Sequence, residues 1–157
     1  MIRTPTMRRM TNTVTNTINT EYDFYAAGPF FNPAEVASME RLETALESHG
    51  KKLFKPRFES DLAAIGAKAC FEADVAGIRS AKAVIANLID DDPGTMFEIG
   101  YAHGIGKPVY AYLDGLKDGD AVNIMISQSV DAVFTSAEDL ARFLETGEHT
   151  DPVLKDF

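Results

Sequence analysis

The chain has 157 residues, 45% of them hydrophobic, which suits one domain with an ordinary core. Its formal net charge of −9 argues against nucleic-acid binding and against anionic membranes, since both need a basic surface. The one cysteine, Cys70, excludes an intramolecular disulfide and a cysteine-cluster metal site, and His49, His103 and His149 are scattered without metal-ligand spacing.

No apolar run approaches the ~18 residues of a membrane helix. Residues 1–20 stand apart: they carry Arg3, Arg8 and Arg9, no acids, and many Thr and Asn. This composition resembles an organelle transit peptide, but it has neither a regular amphipathic period nor an apolar core, and it reads as a flexible leader.

Tyr22 to Ala27 is the expected first strand, ended by Gly28-Pro29. Asn32-Pro33 then reads as an N-cap with proline at the first helical position. Val36, Met39, Leu42 and Leu46 follow at helical spacing, and Gly50 stops the helix. Lys52 to Lys55 is a short second strand, ended by Pro56-Arg57. A helical region spans Ser60 to Ala81, with a break at Gly66 and an inward stripe of Ala67, Cys70 or Phe71, Asp74, Ile78 and Ala81.

Ala83 to Ile89 is the third strand, apolar almost throughout as in a parallel sheet covered on both faces. A helix from Thr95 ends at Gly104-Ile105-Gly106. Pro108 to Leu113 is the fourth strand, Asp114 to Asp120 a polar loop, and Asn123 to Ser129 a short helix. Asp131 to Phe134 is the fifth strand, and Ser136 caps a last helix through Leu144. Alternation of this kind gives a five-stranded parallel sheet with helices on both faces, a flavodoxin-like or Rossmann-like three-layer sandwich. The single α/β domain is expected over residues 21–145. Residues 146–157 form a tail whose Val153, Leu154 and Phe157 could dock on a neighbouring subunit. There is no G-x-G-x-x-G and no P-loop motif.

The stretch from Ile89 to Ala102 follows the third strand and holds Asp90, Asp91, Asp92, a Pro-Gly pair and Glu98. In open α/β sheets ligands bind outside the carboxyl ends of the strands. Two readings are open for Glu98: Thr95-x-x-Glu98 fits a capping box, or the carboxylate is placed for chemistry. Asp74 lies on an otherwise apolar face, where a carboxylate is unfavourable unless it is paired or opens into a cavity; the alternative is a cap or a wetter flank. Tyr25, Phe30 and Phe31 come from the end of the first strand. Acids flanking one cleft are what glycosidic-bond chemistry needs, and aromatic rings suit stacking of a flat ring.

These residues resemble the nucleoside 2-deoxyribosyltransferases over roughly residues 22 to 144. The resemblance is carried by Tyr25-x-x-x-Pro29-Phe30-Phe31, Pro56-Arg57, Asp74 before Ile78, Asp92-x-Gly94-Thr95-x-x-Glu98-x-Gly100, and Asn123-Ile124-Met125. It implies that Glu98 is the nucleophile on C1′ of the deoxyribose and that Tyr25 orients it. Asp92 and Asp74 would contact the base and supply its proton, with Phe30 and Phe31 beside it. Arg57 and Gly94 would complete the substrate site. Asn123 would come from a neighbouring subunit to hold the sugar 5′-hydroxyl, with Met125 closing over the site. The first-turn position expected for Glu98 favours its ionised form. Taken singly, Tyr25, Phe30, Phe31 and Met125 also read as packing, Asn123 as a helix cap and Arg57 as a solvated loop residue.

The family implies a cytoplasmic homo-oligomer, built on dimers and up to a hexamer, with shared sites, acting on a small-molecule 2′-deoxynucleoside and a free nucleobase. No metal or other cofactor is expected. One alternative within the fold is a 2′-deoxynucleoside 5′-monophosphate N-glycosidase, whose members carry serine where this chain has Asn123. Another, from a different class, is a non-catalytic nucleotide-sensing module.

Overall fold

A computed structural model describes residues 20–157 of the chain. Apart from Thr20, the leader expected over residues 1–20 lies outside the described residues. Strands β1 (Tyr22–Ala27), β2 (Leu53–Phe54), β3 (Ala81–Asn87), β4 (Val109–Tyr112) and, further along, β6 (Ala132–Phe134) form one parallel sheet in the order β2-β1-β3-β4-β6. Helices α1 (Pro33–Glu47) and α7 (Ala137–Thr146) cover one face, packing Met39, Leu42, Leu46 and Leu140 on Ile85, Tyr112 and Phe134. Helices α4 (Ala67–Ser80) and α5 (Pro93–Gly104) cover the other, where Ile78, Ile99 and Ala102 meet Tyr25, Val84 and Val109. This is the expected three-layer α/β sandwich.

The strand order reverses beside β1: the chain leaves β1 toward β2, then returns to build β3, β4 and β6 on the other side. The loops after β1 and β3 therefore diverge and open a crevice at the carboxyl edge, the switch-point position at which such sheets bind ligands. The register sets Tyr25 opposite Val84 and Ala27 opposite Ala86. Gly28 is required where β1 ends, because a Cβ there would fall 2.3 Å from Met39 Sδ and 3.1 Å from Asn87 Cβ.

Several boundaries differ from those expected. Strand β3 begins two residues earlier, since Ala81 pairs with Tyr22, and ends at Asn87, whose side-chain Oδ1 takes the Ile89 amide at 3.1 Å and opens a turn. In that turn Asp90 and Asp91 both adopt positive φ (59° and 48°), an uncommon backbone state for residues other than glycine. Pro56–Glu59 forms a helical turn, α2, and Leu62–Ile65 another, α3, before Gly66 breaks the region (φ 81°). Of the expected inward stripe, Ile78 on α4 and Ala81 at the start of β3 are buried, but Ala67 and Phe71 are exposed.

Beyond β4, β5 (Ala121–Val122), α6 (Ile124–Ser127) and a final strand β7 (Lys155–Asp156) complete the chain. Strand β7 pairs in parallel with β5, and the Ile124 amide donates to the Phe157 carbonyl at 3.0 Å, so the tail lies on its own chain. Among the described residues no helix is long and apolar enough to cross a membrane.

Candidate active site

Tyr25 is fully buried in β1, its ring stacked on Phe54 with centroids 5.2 Å apart. Phe54 is in turn pressed by α4 at Gly77, where a Cβ would meet the ring at 2.8 Å. So held, the Tyr25 hydroxyl donates to Glu98 Oε1 at 2.7 Å.

Glu98 is not in the first turn of its helix. Asp92 is the N-cap of α5, its Oδ2 accepting from the Thr95 amide at 2.7 Å and the Thr95 hydroxyl at 2.9 Å, with Pro93 at the first helical position. The Thr95–Glu98 capping box is therefore absent. Glu98 falls in the second turn, facing the sheet rather than the helix end. The expected dipole support is replaced by a different balance. Burial, which disfavours charge, pushes the Glu98 carboxyl up to about 8; the Tyr25 bond opposes the rise, and the nearby Asp74 and Asp92 carboxylates add to it. The Tyr25 phenol is itself pushed far up, chiefly by burial and then by Glu98, so it keeps its proton and acts only as donor.

Asp74 reaches the same space from α4. Burial raises its proton affinity, moderated first by the hydrogen bond from the Ser60 hydroxyl to Oδ1 and then by the Cys70 thiol, whose Sγ lies 3.9 Å from Oδ2. Gly94 leaves the approach open beside Asp92: a Cβ there would stand 3.1 Å from Asp92 Oδ2.

Phe30 and Phe31 stack on each other at 5.3 Å in the loop after β1. Phe31 is 75% exposed, so packing does not explain it. The loop is held by the α1 cap: Glu35 Oε2 accepts from the Phe31 amide at 2.6 Å and the Asn32 amide at 3.2 Å. Arg57 is no solvated loop residue. Its side chain is 12% exposed and its Nη2 meets Glu43, itself 5% exposed, at 2.7 Å. Its Nε is buried without a partner among the described residues.

Glu98, Asp92, Asp74, Gly94, Arg57, Phe30 and Phe31 line one cavity of about 280 Å³, and Tyr25 lies beneath it through its bond to Glu98. From Asp74 and Glu98 an apolar groove of about 380 Å³ runs out between α4 and α5, past Phe71 and Phe97. Ser60, Cys70 and Thr95 also line the cavity, beyond the site residues expected from the sequence. Thr95 carries a sequence signal in its place within the Asp92–Glu98 motif and Cys70 in the inward stripe that holds Asp74, whereas Ser60 carries none.

Asn123 and Met125 do not join this group within one chain. Asn123 caps α6, its Oδ1 accepting from the Met125 amide at 2.9 Å, and lines a separate cavity of about 800 Å³ with Asp90, Asp91 and Phe157. Met125 is 75% exposed. Among the described residues no group of His, Cys, Asp and Glu is arranged to hold a metal ion.

The family model of nucleoside 2-deoxyribosyltransferases matches residues 24–129. Among solved structures the fold is similar to a 2-deoxyribosyltransferase from the psychrotolerant bacterium Bacillus psychrosaccharolyticus, with 28% identity and a TM-score of 0.71, covering 83% of this chain and 98% of that one. It is similar to a deoxyribosyltransferase from Leishmania mexicana at 25% identity and a TM-score of 0.60, over 80% of this chain and 98% of the other. A CMP N-glycosidase from Clostridium botulinum shares the fold at 19% identity, with a TM-score of 0.52 over 78% of this chain and 97% of that chain. No curated protein sequence matches the chain at a significant level.

Proposed function

The chain belongs to the nucleoside 2-deoxyribosyltransferase family, whose enzymes act on nucleosides and nucleobases, and we propose that it moves 2-deoxyribose from a 2′-deoxynucleoside to another base through a deoxyribosyl ester on Glu98. The observation that carries this reading is the Glu98 carboxyl held by the Tyr25 phenol in a cavity shared with Asp74 and Asp92. Ionised Glu98 attacks C1′ as the C1′–N bond breaks. The bonding pair leaves with the base, which takes its proton from Asp74 or Asp92. An incoming base then attacks C1′, the Glu98 ester bond breaks, and the base's proton returns to the acid. Two inversions give retention, as in retaining glycosidases, and each half is easier than a single displacement.

Phe30 and Phe31, stacked at the mouth, offer their faces to the base. Asn123 and Met125, absent from this cavity in one chain, serve a neighbouring subunit's site. The only cation among the described residues lining the cavity, Arg57, is already paired by Glu43 at 2.7 Å. That favours a free nucleoside over a 5′-monophosphate, which requires an uncommitted positive charge or free helix-end amides.

The test is product analysis with deoxyinosine or deoxythymidine as donor and adenine in excess. Formation of deoxyadenosine ahead of free deoxyribose is the expected result. Dominant release of free deoxyribose under these conditions replaces the transferase reading with a hydrolase, and cleavage confined to deoxynucleoside monophosphates replaces it with the nucleotide glycosidase.

A further inference from the structure

Ser60 is buried at the corner between α2 and α3, with its amide donating to the Pro56 carbonyl at 3.0 Å. Its hydroxyl has two acceptors in reach: the Pro56 carbonyl at 3.0 Å and Asp74 Oδ1. One hydroxyl has one hydrogen, and Asp74 Oδ1 is the nearer of the two acceptors, so the hydrogen goes to Asp74. The corner is tied to α4 a second time, because Cys70 Sγ donates to the Ser60 carbonyl at 3.1 Å. Ser60 thus stands at a fixed place and meets one oxygen of Asp74, while Oδ2 has only the Cys70 sulfur 3.9 Å away, whose one hydrogen goes to the Ser60 carbonyl.

We propose that Ser60 is a positioning residue for proton transfer to the base: by donating to Oδ1 of Asp74 it reserves Oδ2 for the transferred proton. The proposal rests on Asp74 serving the base as its acid. In the first half-reaction the Oδ2–H bond of Asp74 breaks as the N–H bond of the departing base forms. In the second, the incoming base loses its N–H proton to Oδ2. Ser60 donates to Oδ1 throughout, so the carboxyl neither rotates nor carries its proton on the wrong oxygen. The other ionisable groups around Asp74 are Glu98 and Asp92 from α5 and its cap, Tyr25 from β1, Cys70 on its own helix, and Arg57 and Asp61 from the α2–α3 corner. None of them donates to Oδ1.

The experiment compares Ser60→Ala and Ser60→Thr with the unaltered protein by two readouts. One is a carbon-13 NMR titration of protein labelled in its aspartate carboxyls, with Asp74 assigned by its loss in Asp74→Asn. The other is the pH profile of base exchange. Because the Ser60 bond favours the ionised carboxylate, Ser60→Ala should move the Asp74 titration upward. Exchange should fall about ten- to a hundredfold, and the limb of its pH profile that Asp74 governs should move upward with the titration. Ser60→Thr, which keeps the hydroxyl, should restore both and controls for folding. An unmoved Asp74 titration in Ser60→Ala overturns the role of Ser60 whatever the activity. A moved titration with an unchanged exchange rate and profile overturns it as well, and removes Asp74 from the proton transfer.

Discussion

Tyr25 and Glu98 are 73 positions apart in the chain and 2.7 Å apart at the phenol oxygen and carboxylate Oε1. The bond joins β1 to α5, the helix that follows the neighbouring strand β3, across the crevice that the parallel topology opens. It also sets the chemistry of the carboxyl. Burial drives Glu98 up to about 8, and the phenol is the group that opposes this rise.

Tyr25→Phe removes that opposition while leaving the ring stacked on Phe54. Glu98 should then titrate above about 8, and the limb of the exchange profile that Glu98 governs should move upward with it. Exchange near neutral pH should fall about ten- to a hundredfold, for a stability loss of about 1 kcal/mol. Rate profiles and thermal melts of the variant check both.

Stability should carry the mark of the same carboxyl. Glu98 releases its proton near 4.5 in the unfolded chain and near 8 in the folded one. Between those values the folded state binds more protons, so the contribution of Glu98 to stability is whole below the lower value and is lost as pH rises toward the upper. Glu98→Gln does not titrate. It should gain on the unaltered protein by up to a few kcal/mol across that window and hold a constant advantage above it. Denaturant unfolding below, within and above the window measures the difference.

Asp92 combines a cap and a proposed acid, and two substitutions separate them. Asp92→Asn keeps an acceptor for the Thr95 amide and should hold stability, whereas Asp92→Ala should cost about 1 kcal/mol. Exchange should fall by about tenfold or more in both, since neither can carry the proton. Equal exchange in Asp92→Asn and the unaltered protein would reduce Asp92 to a cap.

Asn123 stands outside the Glu98 cavity within one chain. If it serves a neighbour's site, co-expressed Glu98→Ala and Asn123→Ala subunits should regain exchange, because some sites then hold both intact residues. Mixed oligomers, verified by mass and still inactive, count against a shared site and leave Asn123 as the cap of α6.

Much of this arrangement was legible from local chemistry. The Asn32-Pro33 cap, the apolar third strand and the break at Gly66 each declare themselves within a few residues, and the alternation of elements yields the parallel sheet. The order of motifs then brought Tyr25, Asp74, Asp92 and Glu98 to one edge. What escaped depends on contacts far apart in sequence. The start of α5 is a local exception: Thr95 and Asp92 both carry capping oxygens, and the proline after Asp92 decides between them. The pairing of β5 with β7 joins two short strands with no hydrophobic alternation. The contact of Ser60 with Asp74 needs the corner between α2 and α3 to exist first. The raised proton affinity of Glu98 follows from burial, which the motif around it does not encode.

The most direct measurement is the mass of the protein itself after brief incubation with a 2′-deoxynucleoside and no acceptor base, followed by acid quench and peptide mapping. One deoxyribosyl group is expected on the peptide carrying Glu98, lost on adding a free base and never formed in Glu98→Gln. An unmodified Glu98 peptide during active exchange, or the sugar on any other residue, would rule out Glu98 as the nucleophile.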